Sequence, residues 1–185
     1  GFYGSREYVK QYNKDWRGFY NFKSICVIFP QSTKEISTIL NFCFLNNIKV
    51  VPQSGNTSLT GASVPSKNNY EIIIKLNKMN KILSIDKVNM LVKVESGATL
   101  DSLKKFVEKN NFYFPLSLSS SGSCLIGGNI ATNAGGINAL KYGTMRDSIQ
   151  GLEVILADGT KIENMSSMKK NNTGYDIKNI FCGSE

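Results

Sequence analysis

Two stretches of this chain mix glycine with short hydroxyl and amide side chains: Pro52-Gln-Ser-Gly-Asn-Thr-Ser-Leu-Thr-Gly-Ala-Ser63 and Gly122-Ser-Cys-Leu-Ile-Gly-Gly-Asn-Ile-Ala-Thr-Asn-Ala-Gly-Gly136. Glycine lets a backbone turn sharply and brings its N–H groups close to a ligand. Successive N–H groups pointing one way bind an anion, and Ser, Thr and Asn side chains add further donors. One such loop fits an ordinary surface turn. Two, each entered from an apolar run, point to a long ligand carrying a diphosphate. Cys124 lies inside the second stretch, placed either for packing or for ligand contact. The chain has no histidine. A Ser-His or Cys-His pair is therefore ruled out within it. A zinc-type site would need other ligands, and no Asp/Glu cluster supplies them.

The elements that must carry these loops are legible in the apolar pattern. Ile25-Cys-Val-Ile-Phe29 predicts a short strand. Ser32-Thr-Lys-Glu35 is a capping box, in which the Ser side chain caps the helix start and Glu35 reaches back. Ile36, Ile39, Leu40 and Cys43 follow at helical spacing and extend that helix to about Asn46. Lys49-Val-Val51 is the next strand and feeds directly into the first loop. Further strands are predicted at Ile72–Ile74, Ile82–Ile85 and Leu91–Val94. Thr99 caps a helix whose apolar face is Leu100, Leu103, Phe106 and Val107. Phe112–Pro115 leads into the second loop. A long strand from Ile149 to Leu156, a turn at Asp158-Gly159 and a return at Lys161-Ile162 make a hairpin, and Asp176–Phe181 closes as a helical turn. Two dinucleotide and nucleotide signatures are missing. There is no G-x-G-x-x-G opening a long helix, and no Gly-Lys-Ser/Thr follows either loop.

With 185 residues, 41% apolar and 19% charged, the chain has the composition of a globular domain able to bury a core. Formal net charge is +8, but the lysines are scattered, with pairs only at Lys104-Lys105 and Lys169-Lys170. Nucleic-acid binders gather charge on one face with aromatics between, so no nucleic-acid partner is expected, although positive potential helps attract an anionic ligand. No apolar stretch is long enough for a transmembrane segment, and no signal-peptide pattern is present. Cys26, Cys43, Cys124 and Cys182 show no C-x-x-C spacing. The first two lie in apolar runs, as buried thiols do. A cytoplasmic address is expected, or one peripheral to the inner membrane.

The order and wording of these segments resemble the flavin-binding domain of the FAD-linked oxidases of the vanillyl-alcohol oxidase type, the PCMH-type fold. The phrases that carry the resemblance are Asp15-Trp-Arg-Gly18, Val50-Val-Pro-Gln-Ser-Gly-Asn-Thr57, Ile126–Gly136, Leu140-Lys-Tyr-Gly143, Gly151–Gly159 and Asn172-Thr-Gly-Tyr-Asp176. Within the family the chain is most similar to the D-2-hydroxyglutarate dehydrogenase, D-lactate dehydrogenase and glycolate oxidase flavin-subunit branch. The resemblance implies an α+β fold of two lobes. A small βαβ lobe over residues 1–70 precedes a larger mixed-sheet lobe over residues 71–185, and FAD lies between them. It places Ser54, Gly55, Asn56, Thr57 and Ser58 around the pyrophosphate, with Ala62 and Ser63 closing the wrap. It also runs Gly122, Ser123, Gly127, Gly128, Asn129, Thr132, Asn133, Gly135 and Gly136 along the cofactor. Lys141 and Tyr142 fit either packing or function.

The family pattern has glycine where this chain has Ser54, Ser58 and Ala62. A side chain forced to positive φ there costs about 1–2 kcal/mol, unless the two hydroxyls instead add donors to phosphate. The activity implied is oxidation of a D-2-hydroxy acid by hydride transfer to FAD. Electrons then pass to an acceptor such as an electron-transfer flavoprotein or a quinone. Gly183-Ser-Glu185 matches the opening of a family phrase that continues beyond it. The resemblance implies that the cap and C-terminal segments, with the substrate-binding basic residues, the metal-binding histidines and the base, lie outside this chain. The chain alone is expected to bind FAD without turnover. The rivals are a glycolate oxidase flavin subunit and a non-catalytic FAD-binding remnant of a split gene.

Overall fold

The computed structural model describes residues 2–3, 6–67, 70–168 and 170–185; Lys169 of the second lysine pair lies outside the described residues. The architecture is α+β. The chain divides into two compact units, one of residues 1–79 with 155–161 and one of residues 80–154 with 162–185.

The first unit contains β1 (Phe2–Tyr3), α1 (Arg6–Val9), a 3-10 turn at Lys10–Tyr12, β2 (Val27–Ile28), α2 (Thr33–Leu45), β3 (Lys49–Gln53) and β4 (Glu71–Lys75). These strands form one sheet in the order β1-β2-β4-β3, parallel except for the antiparallel edge strand β1. Strands buried on both faces read as unbroken apolar runs, and Ile72-Ile-Ile74 of β4 is such a run. Ile72 and Ile74 face Cys26, Cys43, Ile39 and Leu40 on the α2 side. Ile73 faces the opposite way, into a cluster with Val9, Val27, Phe29 and Val51.

Ser32 caps α2 by accepting from the Glu35 N–H at 3.2 Å. The Glu35 carboxylate reaches one residue further back than a capping box requires and accepts from the Gln31 N–H at 2.8 Å. A boundary between residues 70 and 71 assigns β4 to the second lobe. Its backbone pairs between β2 and β3, and the chain divides after Met79. That pairing is long-range, so no local pattern announces it.

The second unit begins with the antiparallel pair β5 (Ile82–Asp86) and β6 (Leu91–Val94). It continues through α3 (Leu100–Lys109), α4 (Ile126–Ala131), α5 (Ala139–Tyr142) and α6 (Met145–Ser148). Its core joins Leu100, Leu103 and Val107 of α3 to Leu116, Cys124, Ile126 and Met145. Thr99 caps α3, accepting from the Ser102 N–H at 3.1 Å. Strands β7 (Leu152–Ile155) and β8 (Lys161–Asn164) form a hairpin, and α7 (Lys178–Phe181) follows. The tip of that hairpin, residues 155–161, belongs to the first unit. There Ser37 Oγ of α2 donates to the Gly159 carbonyl at 2.6 Å, and Asn41 Nδ2 donates to the Asp158 carbonyl at 2.9 Å.

Candidate functional site

The first glycine loop leaves the C-terminal end of β3, the end at which parallel sheets present ligand-binding loops. Asn56 adopts the left-handed conformation at φ +54°, which Asn tolerates better than other non-glycine residues. Its side chain braces the loop. Nδ2 donates to the Lys14 carbonyl at 2.8 Å, and Oδ1 accepts from Ser63 Oγ at 2.7 Å. Ser58 Oγ pairs with Thr60 Oγ1 at 2.9 Å. Gln53, fully buried beneath the loop, donates through Nε2 to the carbonyls of Tyr12 and Ser63 at 2.9 and 2.7 Å.

These bonds engage side chains and carbonyls but leave the amides. Among the described residues, the backbone N–H groups of Gly55, Asn56, Thr57 and Ser58 donate to no protein acceptor. Four consecutive unused donors fit an anion with several oxygens. Gly55 and Asn56 also line an open cleft of about 860 Å³ with Tyr8, Lys10, Gln11, Lys14, Asp15 and Trp16.

The Asp15–Gly18 phrase supports this loop. Asp15 is buried, and its carboxylate accepts from the N–H groups of Arg17 at 3.3 Å and Tyr20 at 2.9 Å. Arg17 Nη2 donates to the Leu59 carbonyl at 2.7 Å. Ser54, Ser58 and Ala62 all lie outside the left-handed region; the positive φ values of the loop fall on Asn56 and Gly61. The backbone penalty considered for the three substituted positions does not arise.

The second stretch is built differently. Its centre is the short helix α4, tied down by the Ile126 N–H to the Ala98 carbonyl at 2.9 Å and the Gly127 N–H to the Ser96 carbonyl at 2.8 Å. A Cβ at Gly127 would lie 2.8 Å from Ser96 Cβ, so close packing, rather than ligand approach, requires this glycine. Asn129 is buried and donates to Cys124 Sγ at 3.6 Å, which places Cys124 in packing. Thr132 Oγ1 donates to the Gly128 carbonyl at 2.9 Å, and Asn133 Oδ1 accepts from the Arg146 N–H at 3.0 Å. Gly122 and Ser123 are exposed, and nothing lies within 4 Å of the Cβ position at Gly122. Gly135 and Gly136 follow the helix, and Gly136 holds φ +77°. Tyr142 packs its ring 5.9 Å from that of Tyr113, and Lys141 Nζ sits 4.9 Å above the Tyr142 ring.

Sequence reasoning passed over Gln53 and Lys75. Lys75, the residue that ends β4, donates through Nζ to the Ser54 carbonyl. The available signal was a charged residue closing the apolar run Ile72–Ile74 of a buried strand.

A family model described as FAD binding domain matches residues 24–164, more than half of the chain. The chain belongs to the FAD-binding domain family. The probable mitochondrial D-2-hydroxyglutarate dehydrogenase of Oryza sativa subsp. indica is 47% identical to this FAD-binding domain over 173 residues, covering 94% of this chain and 31% of that protein. The mitochondrial D-2-hydroxyglutarate dehydrogenase of Arabidopsis thaliana is 41% identical over 180 residues, covering 97% of this chain and 32% of the relative. The chain thus spans about a third of the length of the curated relatives it matches. An alkyldihydroxyacetonephosphate synthase structure superposes with a TM-score of 0.86 at 21% identity, covering 99% of this chain and 35% of that one. At that identity it shows the shared fold.

The relatives correct one expectation. They are named as mitochondrial proteins, which overturns the cytoplasmic address and points to the mitochondrion. In the FAD-binding domain itself, no helix among the described residues is long and apolar enough to cross a membrane.

Proposed function

We propose that this chain is the FAD-holding part of a flavin-dependent dehydrogenase that oxidises a D-2-hydroxy acid, with D-2-hydroxyglutarate as the preferred substrate. The row of unused N–H groups at Gly55–Ser58 carries the cofactor side of this reading. Identity of 47% to a D-2-hydroxyglutarate dehydrogenase across 94% of the chain supports the substrate side.

In this reading the four amides of the first loop hold the diphosphate, and hydrogen bonds to a charged group contribute about 1.5–3 kcal/mol each. Ser54, Asn56, Ser58, Ala62 and Ser63 shape that loop, and Thr57 adds a hydroxyl inside the amide row. Gly122, Ser123, Gly128, Gly135 and Gly136 contact the remainder of the cofactor. Gly127, Asn129, Thr132 and Asn133 hold those contacts in place through the bonds described above. Bound FAD supplies a hydride acceptor. This chain's own residues bind and orient it. The groups that hold substrate and take up the hydroxyl proton lie in the further length that the relatives possess, as does the docking site for an electron acceptor.

The test uses the full-length protein, with a dye as electron acceptor. The expected result is a kcat/KM for D-2-hydroxyglutarate at least about tenfold above those for D-lactate and glycolate, a difference worth about 1.4 kcal/mol. The FAD-loaded 185-residue chain, mixed with the same acids, is expected to show no bleaching of its flavin absorbance. Equal rates on all three acids would sink the substrate assignment, and bleaching in the short chain would sink the division of labour.

A further inference from the structure

Lys75 is an amine placed under the first loop, and among the described residues no carboxylate pairs with it. Its Nζ donates to the Ser54 carbonyl and lies 5.8 Å from the Tyr12 ring centroid. Gln53 is its register partner across β3 and β4. Adjacent residues on parallel strands project to the same face, so the two side chains form one layer beneath the loop. Gln53 uses Nε2 on the Tyr12 and Ser63 carbonyls, while its Oε1 is buried with no partner among the described residues. The loop is thus held from below by two side chains reaching up to its carbonyls.

A trans peptide is planar, with its C=O and N–H pointing in opposite directions, and none of the described peptides is cis. The peptide that offers its carbonyl to Lys75 therefore turns the Gly55 N–H the other way, and Gly55 begins the row of unused donors. An ammonium on the carbonyl oxygen draws electron density through the amide and makes its N–H a stronger donor. We propose that Lys75 is a positioning residue for the diphosphate, fixing and polarising the Ser54–Gly55 peptide so that the Gly55 N–H is aimed at the bound anion. This rests on the reading of the first loop as the diphosphate site.

The charge is conditional. Burial lowers the Lys75 amine from the ordinary lysine value to about 8. Tyr12 is the titratable group recorded against it, and Lys10 and Lys14 line the cleft at Gly55 and Asn56. A bound anion favours the protonated amine, so the amine titrates higher in the complex than in the free domain. The added affinity is then complete below about pH 8 and declines as pH rises beyond it. Neutral lysine still donates a hydrogen bond, so this decline reports charge and not the loss of the brace.

The experiment is FAD titration of the wild-type chain, K75M and K75R at pH 7.0 and 9.5, with a thermal melt at each pH. The expected results are three. K75M binds about tenfold more weakly than wild type at pH 7.0, the scale of one charge-assisted hydrogen bond. K75R stays within about threefold of wild type, a difference below 1 kcal/mol. The wild-type affinity falls between the two pH values while that of K75R does not. K75M within twofold of wild type, K75R as weak as K75M, or equal pH slopes for wild type and K75R would each overturn the proposal. Should K75M fail to melt cooperatively, the comparison of wild type with K75R across pH decides by itself. Absence of FAD binding by the wild type would remove the diphosphate reading and the proposal together, and is thereby distinct from a failure confined to Lys75.

Discussion

Ser54 and Ser58 sit in the first loop with φ outside the left-handed region, which falls instead on Asn56 at +54° and Gly61 at +80°. The loop therefore does not need glycine at either serine for conformational reasons. Ser54 contributes its carbonyl to Lys75, and Ser58 contributes a hydroxyl to Thr60. Restoring glycine at these positions brings no relief of strain. It adds freedom to the unfolded chain instead, at about 0.5–1 kcal/mol per site. S54G and S58G are each expected to lower Tm by about 1–4 °C, as 2–4 °C per kcal/mol predicts for a chain of this length. Their FAD affinity is expected to stay within about twofold of wild type. A gain of tenfold or more from either change would show that the side chain, not the backbone, obstructs the cofactor, contrary to the hydrogen bonds seen.

At the scale of elements, the two glycine-rich stretches part company although their compositions are alike. The first is a true loop whose amides remain available. The second is organised around α4, and several of its polar groups are spent holding it: Thr132 on Gly128, Asn133 on Arg146 and Asn129 on Cys124. The tail after α7 adds to this, with the Gly183 N–H donating to the Ile130 carbonyl at 3.0 Å and the Glu185 N–H to the Ala131 carbonyl at 3.0 Å. The second bond takes up a carbonyl at the end of α4 that the helix itself leaves open, while the Ile130 carbonyl also accepts from the Asn133 N–H at 3.1 Å. Gly136 is the clearest dependence of this element on glycine. It holds φ +77°, and a Cβ there would lie 2.1 Å from the Ser117 carbonyl oxygen. G136A is therefore expected to destabilise the chain by more than about 2 kcal/mol, combining left-handed strain with a collision against backbone. A thermal melt checks this: a fall of about 5 °C or more is predicted, and an unchanged Tm would show that the turn at Ser117 gives way freely.

For the molecule as a whole, the local elements were legible and the long-range ones were not. Strand β6 occupies the residues predicted for it, and Ser32 and Thr99 cap the helices they were expected to cap. Their signals lie within a few residues of the element they mark. Strand β4 was equally visible as an apolar run, but its pairing between β2 and β3 depends on residues far away in sequence. The site shows the same division. The two glycine loops announced themselves by composition. The supports under the first loop, Gln53, Lys75 and the Asp15 turn, are single residues whose role exists only once the chain has folded. The helix inside the second stretch was hidden because glycine at 127 and 128 argues against helix by propensity, and contact with Ser96 overrides it. Family phrases bridged part of this gap, since they carry long-range information that periodicity does not.

The central claim is that these 185 residues form a competent FAD-binding domain whose first loop grips the diphosphate. Titration of the purified chain with FAD, following flavin fluorescence and thermal stability on the same samples, tests it most directly. The account predicts saturable binding with a Tm that climbs with FAD concentration, by about 2.7 kcal/mol of added stability at one hundred times Kd. A chain that melts cooperatively, yet neither saturates nor gains stability with FAD, would contradict it.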